Sequence, residues 1–361
     1  MNSTLKMNLA CMRIFKPSEV EEMVISASEN VEKRKKGKIS YFNIPCSFDI
    51  ETSSFYAYGE KQSCMYAWVL GINGLTMIGR TWDDFVHVFN YVHNFFETDL
   101  NNRLLIYVHN LAYDFQFFRK WLNWDKVFTV SSRKLVYAVT DTGIEFRCSY
   151  ILTGKSLEKI GNELKTYPVK KLVGDLDYDL IRHSNTPLTD KEIGYINNDA
   201  KVVMSYIGEQ IEAETYVGNI PLTKTGYVRR YVKECCFYED GNKKSLKKLH
   251  YREVVGNLKL TVKQYKQLKR CFQGGFTHAN PFNVGKVLND VSSDDFISSY
   301  PYVMVSEQFP MGNAEPVALS STKEFYQNLK LYCCMFDVKI DGLMPKFCYY
   351  IMDLVKHLFL Q

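Results

Sequence analysis

The amino-acid sequence predicts a mixed α/β fold, with a mixed sheet and flanking helices. Two observations lead to this class: apolar and alternating strand patterns come first along the chain, and helices that carry acidic residues follow them. A hydrophobic content of 46% is ample for packed cores, and a length of 361 residues predicts two or three domains.

The strands are predicted from apolar runs and from alternation. Arg103–His109 is strongly apolar, which favours a strand buried on both faces. Alternating residues on either side of Asp141-Thr142-Gly143 predict a hairpin. The strands predicted in this half of the chain are Ile44–Asp49, Met65–Ile72, Arg103–His109, Lys134–Thr140 and Gly143–Tyr150.

Three helices are predicted around these strands. Residues 1–40 are polar and charged, and we interpret them as an N-terminal extension with a helix over Ser18–Lys38 that ends near Gly37. A second helix covers Asp114–Leu122, with its apolar residues on one side. Leu188-Thr189-Asp190 opens the third helix, which is expected to run to about Ala213.

The remainder of the chain has a different character. Residues 214–290 are basic and contain helical pieces and the turn-like Gln273-Gly274-Gly275. Lys286–Asn289 is expected to lead into a strand and turn around Asp295. A helix, a loop and a strand over Leu331–Ile340 are predicted after Pro301.

Composition limits the possible partners only mildly. The net charge is +5, from 45 basic and 40 acidic residues, so global charge does not indicate a nucleic-acid partner. Local clusters could neutralise phosphates, although a solvated face explains any single cluster as well. These clusters are Lys33–Lys36, Arg229-Arg230 with Lys233, Lys243-Lys244 with Lys247-Lys248, and Lys263, Lys266, Lys269 and Arg270.

Cysteine spacing and hydropathy exclude two classes of protein. The ten cysteines include two adjacent pairs and no Cys-x-x-Cys, which suits neither a zinc ribbon nor a disulfide framework and indicates reduced thiols in a cytosol. Because no apolar run approaches the roughly 18 residues of a membrane span, no membrane partner is expected.

Four carboxylates stand in three short segments that could form one site. Asp49 and Glu51 are two residues apart on a strand, so they share a face and would repel each other unless a cation lies between them. Asp114 opens a helix, and Tyr195 and Asp199 share a helix face four residues apart. Taken singly, solvated strand acids and an N-capping Asp explain these residues as well.

Jointly, the four carboxylates suit a phosphodiester hydrolase with two metal ions. Mg²⁺ or Mn²⁺ prefers oxygen ligands, and two ions roughly 3.5–4 Å apart can clamp the attacking and leaving oxygens. The phenol of Tyr195 could orient the attacking water while Asp199 holds a metal. Asn110 and Tyr113 could donate to a phosphate or stack on a base.

These segments resemble the Exo I, Exo II and Exo III motifs of the 3′–5′ proofreading domain of protein-primed family B DNA polymerases of small tailed phages. The matching segments are Asp49-Ile50-Glu51-Thr52, Tyr107 through Asp114, and Tyr195-Ile196-Asn197-Asn198-Asp199. The resemblance implies an RNase H-like exonuclease domain with Asp49, Glu51, Asp114 and Asp199 as metal ligands and Tyr195 as a catalytic residue. It implies DNA contacts for Thr52, Tyr107, Asn110, Tyr113, Ser149 and Tyr150.

A further stretch, Lys171 through Tyr178, is similar to a family segment in which a lysine precedes Gly-Asp. This chain has Val173 at that place, and Lys171 is the nearest candidate for the catalytic lysine.

Two more segments resemble the polymerase part of the family. Phe272-Gln273-Gly274-Gly275-Phe276-Thr277 is similar to the Tyr-x-Gly-Gly motif, which implies DNA contacts for Phe272, Gly274 and Gly275. Asp295 through Pro301 is similar to motif A of an incomplete palm. The resemblance implies that Asp295, with the Phe296 carbonyl, is a metal ligand of the polymerase site and that Tyr300 contacts the deoxyribose of the incoming dNTP.

The resemblance covers residues 41–347 and implies an exonuclease domain over 41–213, the start of a polymerase domain over 214–347, and a divergent tail over 348–361. The family's motifs B and C do not occur in these 361 residues.

We therefore expect an exonuclease-bearing N-terminal portion of a protein-primed polymerase, encoded by an interrupted or split gene. The alternative is a non-catalytic subunit that binds DNA, terminal protein or a separately encoded C-terminal fragment. The implied location is the cytoplasm of an infected bacterial host.

Overall fold

The computed structural model describes residues 7, 13–29, 31–172, 180–237, 246–271 and 281–335. The chain divides into two compact units, Met1–Tyr231 and Val232–Gln361, and each is considered by itself. None of the described helices combines the length and the apolar character needed to cross a membrane.

The first unit is built on one mixed sheet, in the order β1-β6-β5-β4-β7-β10-β9-β8. A short strand, β3, also pairs with β7 and carries β2 on its other side. The ten strands are β1 (Ile14–Phe15), β2 (Lys33–Lys36), β3 (Ile39–Phe42), β4 (Cys46–Ala57), β5 (Glu60–Ile72), β6 (Leu75–Gly79), β7 (Asn102–Val108), β8 (Trp124–Ser131), β9 (Lys134–Thr140) and β10 (Ile144–Cys148).

Strand directions at the centre of the sheet define the fold class. β4, β7 and β10 run parallel, while β5 is antiparallel to both of its neighbours, β4 and β6. The order β6-β5-β4-β7-β10 with one reversed strand is that of an RNase H-like sheet. The mixed α/β, RNase H-like fold predicted for this part of the chain is therefore confirmed.

Helices cover both faces of the sheet. The helices of this unit are α1 (Val20–Ala27), α2 (Trp82–Phe96), α3 (Leu111–Phe118), α4 (Ser149–Thr153), α5 (Leu157–Glu163), α6 (Asp190–Glu214) and the start of α7 (Lys224–Phe237). Apolar side chains of α1, α2 and α3 pack on one face in the largest core cluster, around Phe48, Phe85 and Phe118. α6 packs on the other face, against Val69, Leu105 and Tyr107.

The 25-residue helix α6 lies very close to the centre of the sheet. Ser47 on β4 donates a hydrogen bond to the Ala200 carbonyl at 2.9 Å. Gly71 on β5 makes this approach possible, because a Cβ there would stand 2.6 Å from both Met204 and the Ser47 hydroxyl oxygen. Residues of the middle of α6 are therefore held directly over β4, the strand that carries Asp49 and Glu51.

The N-terminal segment differs from its prediction. The helix expected over Ser18–Lys38 ends at Ala27, and residues 33–36 form β2, which pairs with β3 across a turn at Gly37. Residues 14–27, which the sequence assigned to an extension, place Phe15, Met23 and Val24 in the main core cluster. Residues 14–27 are therefore an integral part of the first unit.

The first unit continues past the predicted boundary at residue 213. The segment after α6 folds back onto the sheet, and Val217 and Ile220 are buried beside Tyr41 in a second core cluster. The unit extends to Tyr231 on α7.

The described residues of the second unit are helical or irregular. They form the end of α7 and the helices α8 (Leu246–Asn257), α9 (Val262–Cys271), α10 (Ser299–Ser306) and α11 (Thr322–Leu331). The strand predicted around Asp295 is not formed: residues 286–296 have neither helical nor strand structure. A strand forms only when it is hydrogen-bonded to a neighbouring strand. None of the described residues of this unit is in a strand, so the segment around Asp295 has no strand to pair with. Most of the strand predicted over Leu331–Ile340 lies outside the described residues, and residues 332–335 are irregular.

Candidate active site

The strand β4 presents two carboxylates toward α6. Side chains of a strand alternate between faces, so Phe48 and Ile50 enter the main core while Asp49 and Glu51 point to the opposite side. The neighbouring Ser47 on that same side fixes α6 above them. The prediction that Asp49 and Glu51 lie side by side is met by this geometry.

A third carboxylate, Asp114, arrives from α3. The chain leaves β7 and turns at Asn110, whose left-handed backbone (φ 66°) starts the helix at Leu111. Asp114 is then in the first helical turn, where a carboxylate is electrostatically favoured. Its Oδ1 accepts a hydrogen bond from the backbone N–H of Ile50 at 3.2 Å, which places the buried carboxylate beside Asp49.

The fourth carboxylate, Asp199, is supplied by α6. A capping box between Thr189 and Glu192 fixes the start of this helix. Carboxylate oxygens of Asp49, Glu51 and Asp199 lie within 4.8 Å of one another. Among the residues that the structure describes, these three form the one cluster of three or more side chains able to share a metal ion.

Burial and mutual repulsion raise the pKa values of these acids. Burial, with Asp114, Glu51 and Asp199 nearby, holds the pKa of Asp49 well above its usual range. Burial raises the pKa of Glu51 to about 7 and that of Asp114 to about 8. Removing water from several nearby carboxylates is unfavourable unless positive charge balances them, so the cluster has the electrostatics of a cation site.

Lys171 provides one positive charge at the edge of this cluster. Its ammonium forms an ion pair with Asp199 and donates a hydrogen bond to the Tyr195 hydroxyl at 3.0 Å. Burial lowers the pKa of Lys171, but the hydrogen bonds to Asp199 and Tyr195 outweigh burial and leave it raised. The structure therefore brings this lysine to Tyr195 and Asp199, whereas Val173, the residue at the family's lysine position, lies outside the described residues.

Several of the predicted DNA-contacting residues line the surface next to the carboxylates. The hydroxyls of Thr52 and Tyr113 are 2.5 Å apart, which joins β4 to α3 beside the cluster. Asn110, Tyr113 and Tyr150 are exposed. These three side chains and Thr52 can reach a ligand without rearrangement of the core.

Ser149 and Tyr107 are placed differently. Ser149 is buried and its hydroxyl lies 3.1 Å from Nδ1 of His109, so it can act on a ligand only by positioning that imidazole. Tyr107 is 1% exposed and packs on the α6 side of the sheet with Leu105 and Val203. The structure does not bring Tyr107 to the surface on which Thr52 and Tyr113 lie.

His109 and Arg182 are site neighbours that the sequence did not single out. Burial, with a smaller contribution from Lys171, lowers the pKa of His109 to about 4, so its imidazole is neutral and its ring packs edge-on against Tyr150. Arg182 forms a buried ion pair with Glu192 and lies over the ring of Tyr66. His109 was visible within its motif, but nothing local marked Arg182.

The predicted polymerase residues belong to the second unit. Asp295, Phe296 and Tyr300 are exposed, with Tyr300 in the first turn of α10. The described structure places no cluster of metal ligands around Asp295. Phe272, Gly274 and Gly275 lie outside the described residues.

Comparison with known proteins gives distant structural similarities. No family model and no curated protein matches the chain. A phi29 DNA polymerase structure, complexed with primer-template DNA and incoming nucleotides, is similar with a TM-score of 0.47 and 16% identity over 68% of this chain and 41% of that chain. The catalytic core of RRP6 from Trypanosoma brucei is similar with a TM-score of 0.36 and 12% identity over 74% of this chain and 64% of that chain. The Aedes aegypti Nibbler EXO domain has a TM-score of 0.28 and 11% identity over 60% of this chain and 93% of that domain. The matched part thus spans 41% of the length of the phi29 structure.

Proposed function

We propose that the first unit is a metal-dependent 3′–5′ exonuclease that acts on single-stranded DNA. The observation that carries the proposal is the convergence of Asp49, Glu51 and Asp199 within 4.8 Å, with Asp114 beside them. These residues come from two strand positions and two helices, so their meeting is a property of the whole fold. The resemblance of their segments to the three exonuclease motifs supports the same function.

The donor set fits Mg²⁺ or Mn²⁺, which would be held by the four carboxylates. Hard divalent cations prefer oxygen ligands, and their charge would balance that of carboxylates such as Glu51 and Asp114, whose pKa values are raised mainly by burial. A pair of such ions, when bound, supplies stabilisation of the charge that develops on the attacking and leaving oxygens. We propose two ions for this site.

Tyr195 and Lys171 are suited to handle the attacking water. The water oxygen forms a bond to the phosphorus of the last phosphodiester, and the bond from phosphorus to the 3′ oxygen of the preceding nucleotide breaks. A nucleoside 5′-monophosphate leaves, and the shortened strand takes a proton at its new 3′ hydroxyl. Tyr195 would orient the water, and the ammonium of Lys171, 3.0 Å from the Tyr195 hydroxyl, keeps the phenol in place and adds positive charge near the phosphate.

Thr52, Asn110 and Tyr113 would hold the 3′ end of the strand. The Tyr113 ring is exposed beside the carboxylates and offers a stacking surface, while its hydroxyl is fixed by Thr52. The exposed amide of Asn110 can donate to a sugar or phosphate oxygen. The exposed ring of Tyr150, which packs against the neutral imidazole of His109, offers a second aromatic surface.

The test of this function is digestion of a 3′-labelled single-stranded oligonucleotide with Mg²⁺ or Mn²⁺. Asp49→Asn combined with Glu51→Gln keeps the shape of both side chains and should remove activity. Asp125→Asn combined with Glu158→Gln changes two exposed acids elsewhere in the unit and should leave it intact. Digestion by the first variant at the wild-type rate would refute the assignment.

The alternative is a non-catalytic module that binds DNA or terminal protein. Such a module has no use for a group of carboxylates whose pKa values are raised by burial and by their proximity to one another. It would bind a single strand and release it uncut with either metal ion, so the same assay separates the two functions.

We further propose that the chain is the N-terminal part of a protein-primed family B DNA polymerase in the cytoplasm of an infected bacterial host. The motif A segment in the second unit supports this, with Asp295 and the Phe296 carbonyl as metal ligands, Tyr300 at the dNTP and Phe272, Gly274 and Gly275 on DNA. Terminal protein and a polypeptide with motifs B and C would be its partners.

Primer extension tests this second proposal. The 361-residue chain should not extend a primer. Addition of a polypeptide with motifs B and C should restore extension, and Asp295→Ala, but not Asp294→Ala, should abolish the restored activity.

A further inference from the structure

The hairpin of β4 and β5 extends well beyond the sheet. β4 pairs with β7 only at Ser47 and Phe48, and β5 pairs with β6 only from Trp68 onward. Residues 53–64 therefore form a two-stranded ribbon, and no other strand among the described residues pairs with it. The ribbon closes at Tyr58 and Gly59, whose φ angles of 53° and 79° suit the tight turn of a two-residue hairpin.

One face of this ribbon begins at the contact between Thr52 and Tyr113, the residue that precedes Asp114 on α3, while Asp49 and Glu51 point to the other face of β4. Thr52, Ser54 and Tyr56 alternate along β4, so they share a face, and Thr52 is the residue in contact with Tyr113. The partners of Ser54 and Tyr56 on β5 are Ser63 and Lys61. The hydroxyls of Ser54 and Ser63 are 2.8 Å apart, which confirms that both side chains lie on this face.

The chemistry of this face changes with distance from the carboxylates. Small hydroxyl side chains come first, and a ring that is 79% exposed follows, opposite a lysine. From Thr52 to Tyr56 the strand rises about 13 Å. A stacked DNA strand advances about 3.4 Å per nucleotide, so this face corresponds to about four nucleotides.

We propose that the ribbon face, formed by Thr52, Ser54, Tyr56, Lys61 and Ser63, is a track for the single strand that leads to the cleft. The proposal rests on the exonuclease function above. Hydroxyls of Ser54 and Ser63 contact the sugar-phosphate backbone of the nucleotides next to the 3′ end. Tyr56 stacks on a base further upstream, and Lys61 neutralises a phosphate there.

DNA is the occupant that fits, because the track starts at Thr52 and Tyr113, the residues proposed to hold the 3′ end, and Tyr113 directly precedes the candidate metal ligand Asp114. A strand whose 3′ end is held between Thr52 and Tyr113 must leave that contact along a neighbouring surface, and this face begins at the same threonine. An exposed aromatic ring with an adjacent cation is the combination that binds single strands without sequence preference. The track should therefore act on strands of any sequence.

The track predicts that affinity depends on strand length. Binding is measured by fluorescence anisotropy in EDTA, so that no hydrolysis is needed, with a thymidine trinucleotide and with an oligothymidylate of about eight nucleotides. Tyr56→Ala should weaken binding of the longer strand about tenfold and leave the trinucleotide unaffected. Tyr56→Phe should bind like wild type, because the ring is kept.

Gln62→Ala is the matched control, since Gln62 is exposed on the opposite face of the same ribbon. Lys61→Ala should reduce the slope of log affinity against log salt by about 0.7 for the longer strand, as expected for one lost phosphate contact. Tyr56→Ala should leave that slope unchanged.

The outcomes for the track and for the exonuclease are separable. Equal loss of affinity for both strands, no loss on Tyr56→Ala, or a wild-type chain that binds the longer strand no better than the trinucleotide would overturn the track. Absence of metal-dependent digestion with intact, length-dependent binding would overturn the exonuclease and leave the track standing.

Discussion

The Lys171 ammonium and the Tyr195 hydroxyl are joined by a hydrogen bond of 3.0 Å, although the two residues are 24 positions apart in the chain. The same ammonium pairs with Asp199, one helical turn beyond Tyr195 on α6. One lysine thus contacts both of the side chains that α6 contributes to the site. The Lys171 nitrogen also lies over the Tyr195 ring, 4.1 Å from its centre, so the positive charge contacts both the hydroxyl and the ring of Tyr195.

This relationship predicts that Lys171 acts on the rate of hydrolysis. Lys171→Ala should lower kcat by about a hundredfold, the lower end of what a positioned group contributes, with little change in affinity for the strand. Lys171→Arg should recover part of the rate because the charge is kept. Lys170→Ala, at the exposed neighbouring lysine, should behave as wild type. A loss confined to KM would instead place Lys171 in strand binding.

Metal ions should stabilise the first unit through the carboxylate cluster. At a free Mn²⁺ concentration a hundred times the dissociation constant, binding adds about 2.7 kcal/mol to the free energy of unfolding. The melting temperature of wild type should therefore rise with Mn²⁺, and that of the Asp49→Asn, Glu51→Gln variant should not.

The same pair of substitutions should have the opposite effect without metal. In EDTA the double variant should melt above wild type, because it no longer buries two repelling carboxylates. Equal Mn²⁺ shifts in both proteins would contradict the assignment of these residues as ligands.

Tyr113 is expected to bind the terminal base through its ring. Tyr113→Ala should weaken single-strand binding by about tenfold, the effect of losing one stacked base. Tyr113→Phe removes only the hydroxyl that contacts Thr52 and should weaken binding much less. Anisotropy at fixed salt gives both affinities. A larger effect of the Phe variant would show that the Thr52 contact, and not the ring, holds the strand.

The ion pair of Arg182 with Glu192 predicts a pH dependence of stability. Burial raises the pKa of Glu192, but hydrogen bonds from Thr189 and Arg182 outweigh burial and leave it lowered. A carboxyl whose pKa is lowered on folding stabilises the fold above its unfolded pKa of about 4.3, and that stability is lost as the pH falls through the folded value.

Glu192→Gln should therefore cost about 3 kcal/mol at pH 7, because the buried ion pair between Arg182 and Glu192 is broken. The difference from wild type should shrink as the pH is lowered below about 4. Urea unfolding at several pH values measures it, with the exposed helix-start residue Glu158→Gln as the control. A difference that stays constant down to low pH would contradict the assigned shift.

The proximity of these carboxylates could be predicted from the sequence because it depends on simple periodicities. Alternation along β4 places Asp49 beside Glu51, and the helical repeat of α6 places Asp199 beside Tyr195. Tyr107 shows where a motif is insufficient: it stands within the Exo II segment, yet strand alternation turns its side chain into the α6 side of the sheet. Membership of a motif does not fix the direction of a side chain.

Pairing between segments of the chain accounts for the other differences. Lys33–Lys36 has a composition that a helix accepts, but the turn at Gly37 pairs it with β3. Glu192, the ion-pair partner of Arg182, is ten residues further along the chain. The two meet because the segment that leads to α6 crosses β4 and β5, and hydrogen bonds with Ser53 and Cys64 hold that segment at residues 180 and 182. The contacts of Arg182 depend on the completed fold, so they cannot be predicted from the residues next to it in the sequence.

The position of Asp199 on α6 also determines when the cluster of four carboxylates can form during synthesis. β4 and α3 leave the ribosome long before α6, so a nascent chain carries three of the four carboxylates with no helix to cover them. Only after α6 has emerged and docked through Ser47 and Ala200 can a cation be enclosed. The proposed exonuclease should therefore be inactive in chains that end before α6.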